Sequence, residues 1–233
     1  MGENRYPVAI VTGAGSALGI AVVRRLAACG FVIASVDLRA AWVEDGLTTA
    51  DRAQSWTRSA DVRYIHEAEA TVIRAAEALG RPTVVVNAPF PGHGGHSGDV
   101  PDWEAVLHDR LRAPLLITRA AQRYLAGTGN GRIINVTHAD ISARRPVDVV
   151  TDKALHALTE TLAHELAPQG IQVNTVVAET CGAHGRRDCC VAVESETASI
   201  VEFLVSQEAR EHTGHHMVAR HPVYRSPGAG GLG

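Results

Sequence analysis

The sequence predicts a single α/β domain, a doubly wound parallel sheet with helices on both faces. Three observations carry that expectation. A short apolar run, Val8 to Val11, meets a Gly-rich turn and then an apolar-periodic segment with Ile20, Val23, Leu26 and Ala27. That succession is strand, tight turn, helix. A second strand pattern, Phe31 to Val36, ends in Asp37. Beyond it, β-branched runs at Thr83–Val86, Arg132–Val136 and Ile171–Val177 are separated by stretches of helical period, which reads as strands buried on both faces between crossover helices.

The first turn, Thr12 to Ile20, is the most informative stretch. A helix that starts directly after a strand presents free N–H groups to a phosphate. Gly13 and Gly19 let the backbone turn sharply and approach a ligand where a Cβ would obstruct. Asp37 follows at the distance suited to a ribose 2′-hydroxyl, so the turn has the context of a Rossmann-type dinucleotide site. A Gly-rich turn in an ordinary βαβ unit that binds nothing is the alternative.

After Asp37 the chain is polar and reads as irregular through Trp42 and Trp56 to Ser59-Ala60-Asp61-Val62. A helix is expected over 67–79, ended by Gly80 and Pro82. The Thr83–Val86 strand opens into a loop, Asn87 to His96, at a strand end of the kind where such sheets bind ligands. Its His93 and His96 read as solvated loop residues. A long helix over 102–125 should kink at Pro114, which removes a helix hydrogen bond. The Arg132–Val136 strand leads to an irregular stretch from Thr137 to Asp148. A helix over 149–167 carries Leu155, Leu158, Leu162 and Leu166 on one face and stops at Pro168 and Gly170. The Ile171–Val177 strand, a polar Cys/Arg-rich loop and a helix over 197–206 follow. Residues 1–225 form one domain, and 226–233 are a Gly-rich tail expected to be flexible.

With 233 residues, 45% of them hydrophobic and 20% charged, the chain is long enough for one sizeable core. A net charge of −3 without any Lys/Arg block argues against a nucleic-acid partner. No signal-type apolar core stands at the N-terminus and no apolar run would span a bilayer, so a cytoplasmic protein is expected. Of the four cysteines, Cys29 stands alone and Cys181, Cys189 and Cys190 cluster. Adjacent Cys189 and Cys190 make a poor disulfide framework, in keeping with a reducing compartment. With His184 between them they have a metal-like look, but the spacing matches no zinc pattern and no metal site is expected.

Along nearly its whole length the chain resembles the short-chain dehydrogenase/reductase family. Thr12-Gly13 through Gly19 overlays the family's Thr-Gly-x-x-x-Gly-x-Gly, with Ala17 in place of its middle glycine. Asp61-Val62 matches the pair that lines the adenine, and Asn87-Ala88 the second half of Asn-Asn-Ala-Gly. Arg132 to Val136, Lys153, Ile171-Gln172-Val173-Asn174, Phe203-Leu204 and Thr213-Gly214 match later landmarks. The resemblance implies NAD as cofactor, held by Thr12, Gly13, Ser16, Leu18, Gly19, Asp37, Asp61, Val62, Asn87 and Ala88, with Lys153 on a ribose.

The family's Asn, Ser, Tyr and Lys tetrad does not carry over. The overlay puts Lys153 on the lysine, but Val149 on the tyrosine, His138 on the serine and Arg110 on the asparagine. The His138-to-Val149 interval is slightly short for the family, so the overlay can slip; no tyrosine lies in 139–152 in any case. Val149 has no proton to move. The family's Pro-Gly after the Ile171–Asn174 landmark is Ala178-Glu179, the glycine of Asn-Asn-Ala-Gly is Pro89, and 180–193 is too short for the usual two-helix lid. The adenosine side is thus nearly intact and the nicotinamide side altered.

Three readings follow. A catalytically silent or auxiliary subunit would partner an active NAD(P)-dependent short-chain oxidoreductase, as a homo- or hetero-oligomer, through the helices near 102–125 and 149–167. A non-redox enzyme, such as a cyclase, dehydratase or isomerase, would use His138 and Lys153 in the old pocket, with Asp140 or Asp148 orienting the imidazole. An NAD-dependent alcohol or ketone oxidoreductase would use His138 as proton donor. The first is favoured because helices and core patterns survive while the chemistry is lost.

Overall fold

The computed structural model describes residues 6–88, 103–140, 146–180 and 187–220. Its strands are β1 (Val8–Thr12), β2 (Val32–Asp37), β3 (Ser55–Ser59), β4 (Pro82–Asn87), β5 (Gly131–Asp140), β6 (Ile171–Thr180) and β7 (His216–Ala219). They form one sheet of order β3-β2-β1-β4-β5-β6-β7, and every neighbouring pair is parallel. The strand order reverses between β1 and β4, and crossover chains leave in opposite directions there. A crevice therefore opens at the carboxyl ends of those two strands.

Alternation along each strand builds two cores. Val11, Val86, Ile134 and Val176 face α1 (Ala17–Ala28) and α8 (Arg187–Val205). Ile10, Val85, Ile133 and Val173 face α4 (Ile65–Leu79), α6 (Ala113–Leu125) and α7 (Pro146–Leu166). The strands read as continuous apolar runs because both of these faces are dry.

Several elements differ from the sequence expectation, among them β7, a strand that no hydrophobic run announces. The stretch after Asp37 is ordered into α2 (Ala40–Gly46), α3 (Thr49–Arg52) and β3. Thr48 and Asp51 cap α3 reciprocally, and β3 is a half-exposed edge strand with little hydrophobic alternation to announce it. The long helix near 102–125 is α5 (Trp103–Leu107), a π-helical turn (His108–Arg112) and α6. Pro114 follows closely on that turn, in a helical backbone that runs unbroken through Arg112 and Ala113. The expected disturbance at the proline therefore takes the form of a π-helical turn. β5 and β6 each run past the predicted ends, since Thr137 to Asp140 pairs with Val177 to Thr180. Finally, α8 starts at Arg187, so Cys189 and Cys190 lie in a helix rather than a loop.

The expected loop histidines His93 and His96, Pro89, Cys181, His184 and the tail 226–233 lie outside the described residues. Among the described residues no cluster of three His, Cys, Asp or Glu side chains could hold a metal. No described helix is long and apolar enough to cross a membrane.

A polar row interrupts the apolar sheet. Thr12, Asn87, Asn135 and Thr175 are in register across β1, β4, β5 and β6. Thr12 Oγ1 donates to Asn87 Oδ1 (3.2 Å), Asn87 Nδ2 to Asn135 Oδ1 (2.9 Å), and Asn135 Nδ2 to Thr159 Oγ1 of α7 (3.0 Å). Thr175 Oγ1 closes the chain on Thr159 at 2.8 Å. Asn135→Ala leaves the Asn87 Nδ2 donor without an acceptor and takes one of two donors from the Thr159 hydroxyl, at a cost of about 2–3 kcal/mol. For a chain of this size we predict a Tm lower by roughly 4–12 °C in a thermal melt.

Candidate functional site

The Gly-rich turn is built as the sequence predicts. Gly13 has φ of +69°, the left-handed region that L side chains rarely enter. A Cβ at Gly19 would stand 2.2 Å from the Gly13 carbonyl oxygen, so this position closes against backbone and admits glycine alone. Ser16 caps α1: its hydroxyl accepts from Gly19 N and donates to Gly13 O, both at 2.9 Å. Leu18 is buried in the first turn of that helix. Asp37 is buried at the end of β2, and its Oδ2 accepts from Gly15 N at 2.9 Å. The carboxylate thereby holds the turn against β2 while remaining at the crevice. Ala88 N donates to Thr12 O at 3.0 Å, which ties the exit of β4 to the end of β1.

A cleft runs along these strand ends. Thr12, Gly13, Asp37, Leu38, Asp61 and Val62 form one part of its lining, and Asp109 and Pro114 another. Arg63 also lines it. Its Nε and Nη2 donate to the two oxygens of Asp61 (2.7 and 2.6 Å), and its Nη1 reaches Asp109 at 3.3 Å. The hydrogen bond from Arg63, with its charge, holds the Asp61 carboxyl below the usual carboxylate range. Asp61 and Val62 were readable from the sequence. Arg63 was not, because its second partner lies 46 residues away. The cradle at Gly13 and Gly19, the capped helix start and Asp37 fit the adenosine and phosphate portion of a dinucleotide.

On the β5 side of the crevice the arrangement differs from the overlay. Lys153 is exposed, and Asp152, the residue before it, is the one that turns inward. Thr137 Oγ1 donates to Asp152 Oδ1 at 2.7 Å. One turn earlier, Asp148 makes an ion pair with Arg110 at 3.0 Å, and both side chains are largely buried. Val149 is 37% exposed. On α7, Asp148 and Asp152, each one residue before Val149 and Lys153, are thus the side chains tied to the π-helical turn and to β5. His138 is half-buried on β5, and strand alternation puts it on the opposite face from Thr137. The structure thus brings Thr137, Asp152, Arg110 and Asp148 to α7, and it does not bring Lys153 inward with them. Glu179, at the end of β6, is held by Arg220 in an ion pair of 2.6 Å.

Deeper along α7, His156 stacks on His216 of β7, ring centroids 4.2 Å apart, with Asp152 3.6 Å from its Nε2. Burial pushes the His156 imidazole below its ordinary value, against the pull of Asp152. A lowered folded-state value means the unfolded chain takes up a proton that the folded site refuses. The stability is present above the unfolded value, about 6.5, and is lost as pH falls below it. We predict that Tm falls between about pH 7 and pH 5.5, and that His156→Leu flattens that slope in melts across the same range.

With this geometry in hand, comparison with known proteins is informative. The family model described as short chain dehydrogenase matches residues 7–187. The short-chain reductase protein NovJ of Streptomyces niveus is 34% identical over 184 residues, which is 74% of this chain and 68% of that protein. An uncharacterized oxidoreductase of Methylorubrum extorquens is 30% identical over 241 residues, spanning 92% of this chain and 96% of that one. Among solved structures, a blue fluorescent protein from a metagenomic library, in complex with NADPH, superposes with a TM-score of 0.78 at 28% identity. That match covers 94% of this chain and 98% of the other.

Proposed function

The chain belongs to the short-chain dehydrogenase/reductase family, and from that premise we propose that it is a nucleotide-holding but catalytically silent subunit. Its partner would be an active NAD(P)-dependent short-chain oxidoreductase, engaged through α5–α6 and α7. The observation that supports this most is the pairing on α7: Asp148 is held by Arg110 and Asp152 by Thr137, while Val149, at the overlay's tyrosine position, has no proton to move.

When bound, a nicotinamide supplies or takes a hydride; the accompanying proton must come from the chain. Asp148 is tied to the Arg110 guanidinium and accepts from it. Asp152 is engaged by the Thr137 hydroxyl. Val149 has neither donor nor acceptor. Lys153 is exposed on α7, whereas Asp152 beside it is the side chain held at the strand end. The adenosine side supports nucleotide binding: Gly13, Ser16, Gly19 and Asp37 keep the geometry of a dinucleotide cradle. NovJ, a short-chain reductase by name, and the NADPH-bound neighbour make NAD(P) the natural ligand to test.

The test is turnover by the purified chain with NADH and a panel of β-ketoesters and secondary ketones. We predict no NADH consumption above the background, and recovery of the chain in a stable complex when it is co-expressed with an active member of the family from the same genome. Sustained NADH oxidation by the lone chain that His138→Ala abolishes would replace this reading with an oxidoreductase using an imidazole donor. Nucleotide-independent turnover of a candidate substrate, lost in the same variant, would replace it with a non-redox enzyme.

A further inference from the structure

The adenosine cleft has an electrostatic difficulty. Asp37, Asp61 and Asp109 all line it, and Arg63 is the one cation among the described lining residues. A nucleotide brings further negative charge. Three carboxylates without a counter-charge would repel it. Arg63 is held in the cleft by both neighbours: Asp61 takes Nε and Nη2 at 2.7 and 2.6 Å, and Asp109 takes Nη1 at 3.3 Å. Two anchors on different elements, the turn before α4 and the π-helical turn before α6, fix the guanidinium plane. Three of the five N–H donors are taken by these bonds, one on each nitrogen, and the edge toward Asp61 and Asp109 is occupied. What a flat ring in the cleft can lie against is then the face of the guanidinium.

We propose that Arg63 is a nucleotide-binding residue that stacks on the purine ring, so that this site reads the face of the base rather than its exocyclic amine. The inference rests on the reading of the cleft as a nucleotide site. Guanidinium planes stack on aromatic rings through the ring quadrupole and by dispersion. Leu38, Val62, Ala113 and Pro114 supply the remaining apolar lining. Asp61, the carboxylate that would meet an exocyclic amine, has both oxygens engaged by Arg63, and its Oδ1 also accepts from Arg63 N at 3.2 Å. The three act as a unit: Asp61 and Asp109 position, and Arg63 contacts the ligand.

The test compares AMP with ethenoadenosine monophosphate, whose exocyclic nitrogen is closed into an additional ring, by calorimetric titration of the full chain. Both should bind wild type with Kd values within about threefold of each other. Arg63→Ala should weaken both by about tenfold or more, in the range of base-stacking losses. Arg63→Lys, which keeps the charge and loses the plane, should weaken them nearly as much, and melts of both variants verify folding. Asp109→Asn, which loosens one anchor, should give a smaller loss. Binding of AMP by wild type that Arg63→Ala leaves unchanged or tightens overturns the stacking role alone. So does a wild type that takes AMP more than tenfold better than the etheno analogue, since Asp61 would then be reading the amine. A wild type that binds neither nucleotide overturns both this inference and the nucleotide reading it rests on.

Discussion

Where β1 and β4 part, the sheet has to stay flat and in register although the chain leaves in opposite directions. The structure meets that demand with a dry row of amides and hydroxyls, Thr12, Asn87, Asn135 and Thr175, fastened to α7 through Thr159. A buried amide without a partner is costly, so each member fixes its neighbour's strand to within one residue. The row lies immediately beneath the crevice. Thr12 ends β1 directly before the Gly-rich turn, Asn87 ends β4, and Thr159 fixes how α7 sits on β5. Both halves of the candidate site are positioned from this one set of contacts.

The two halves then diverge in chemistry. Toward β2 every polar contact works to hold a backbone cradle open: Asp37 on Gly15 N, Ser16 on Gly19 N, and glycine where no Cβ fits. Toward β6 the polar groups satisfy one another. Arg110 meets Asp148, Thr137 meets Asp152 and Glu179 meets Arg220. Side chains paired in this way tie the strand ends to the start of α7, and the proposed silent role rests on that pairing. A fold can keep its architecture while its sites change, because core and site draw on different residues.

How much of this could be read from the sequence depended on the range of the interaction. The strand, turn and helix of Val8 to Ala28 and the placement of Asp37 are set by nearest neighbours, and they stand where the periodicity puts them. The single doubly wound sheet follows from the alternation of apolar runs with helical segments. The orientation of Lys153 was not legible. Which residues of α7 meet β5 depends on contacts such as Thr159 on Asn135 and Asp152 on Thr137, which no local pattern around Lys153 announces. Arg63 was missed for a related reason: in the sequence it is a lone basic residue after Asp61-Val62, and only folding brings Asp109 beside it. Edge strand β3 and the continuation of β5 and β6 to Asp140 and Thr180 are stabilised by pairing with a neighbour, which leaves no signature in hydrophobic period.

The central claim is that one half of a dinucleotide site has been kept and the other half has been given over to internal pairing. It is tested most directly by comparing the affinity of the purified chain for NAD with its affinity for ADP-ribose, the same molecule without the nicotinamide. If the claim holds, the nicotinamide adds nothing and the two Kd values agree within about threefold, less than about 0.7 kcal/mol. NAD binding more than about tenfold tighter than ADP-ribose, a difference of about 1.4 kcal/mol, would show a built nicotinamide pocket and contradict it.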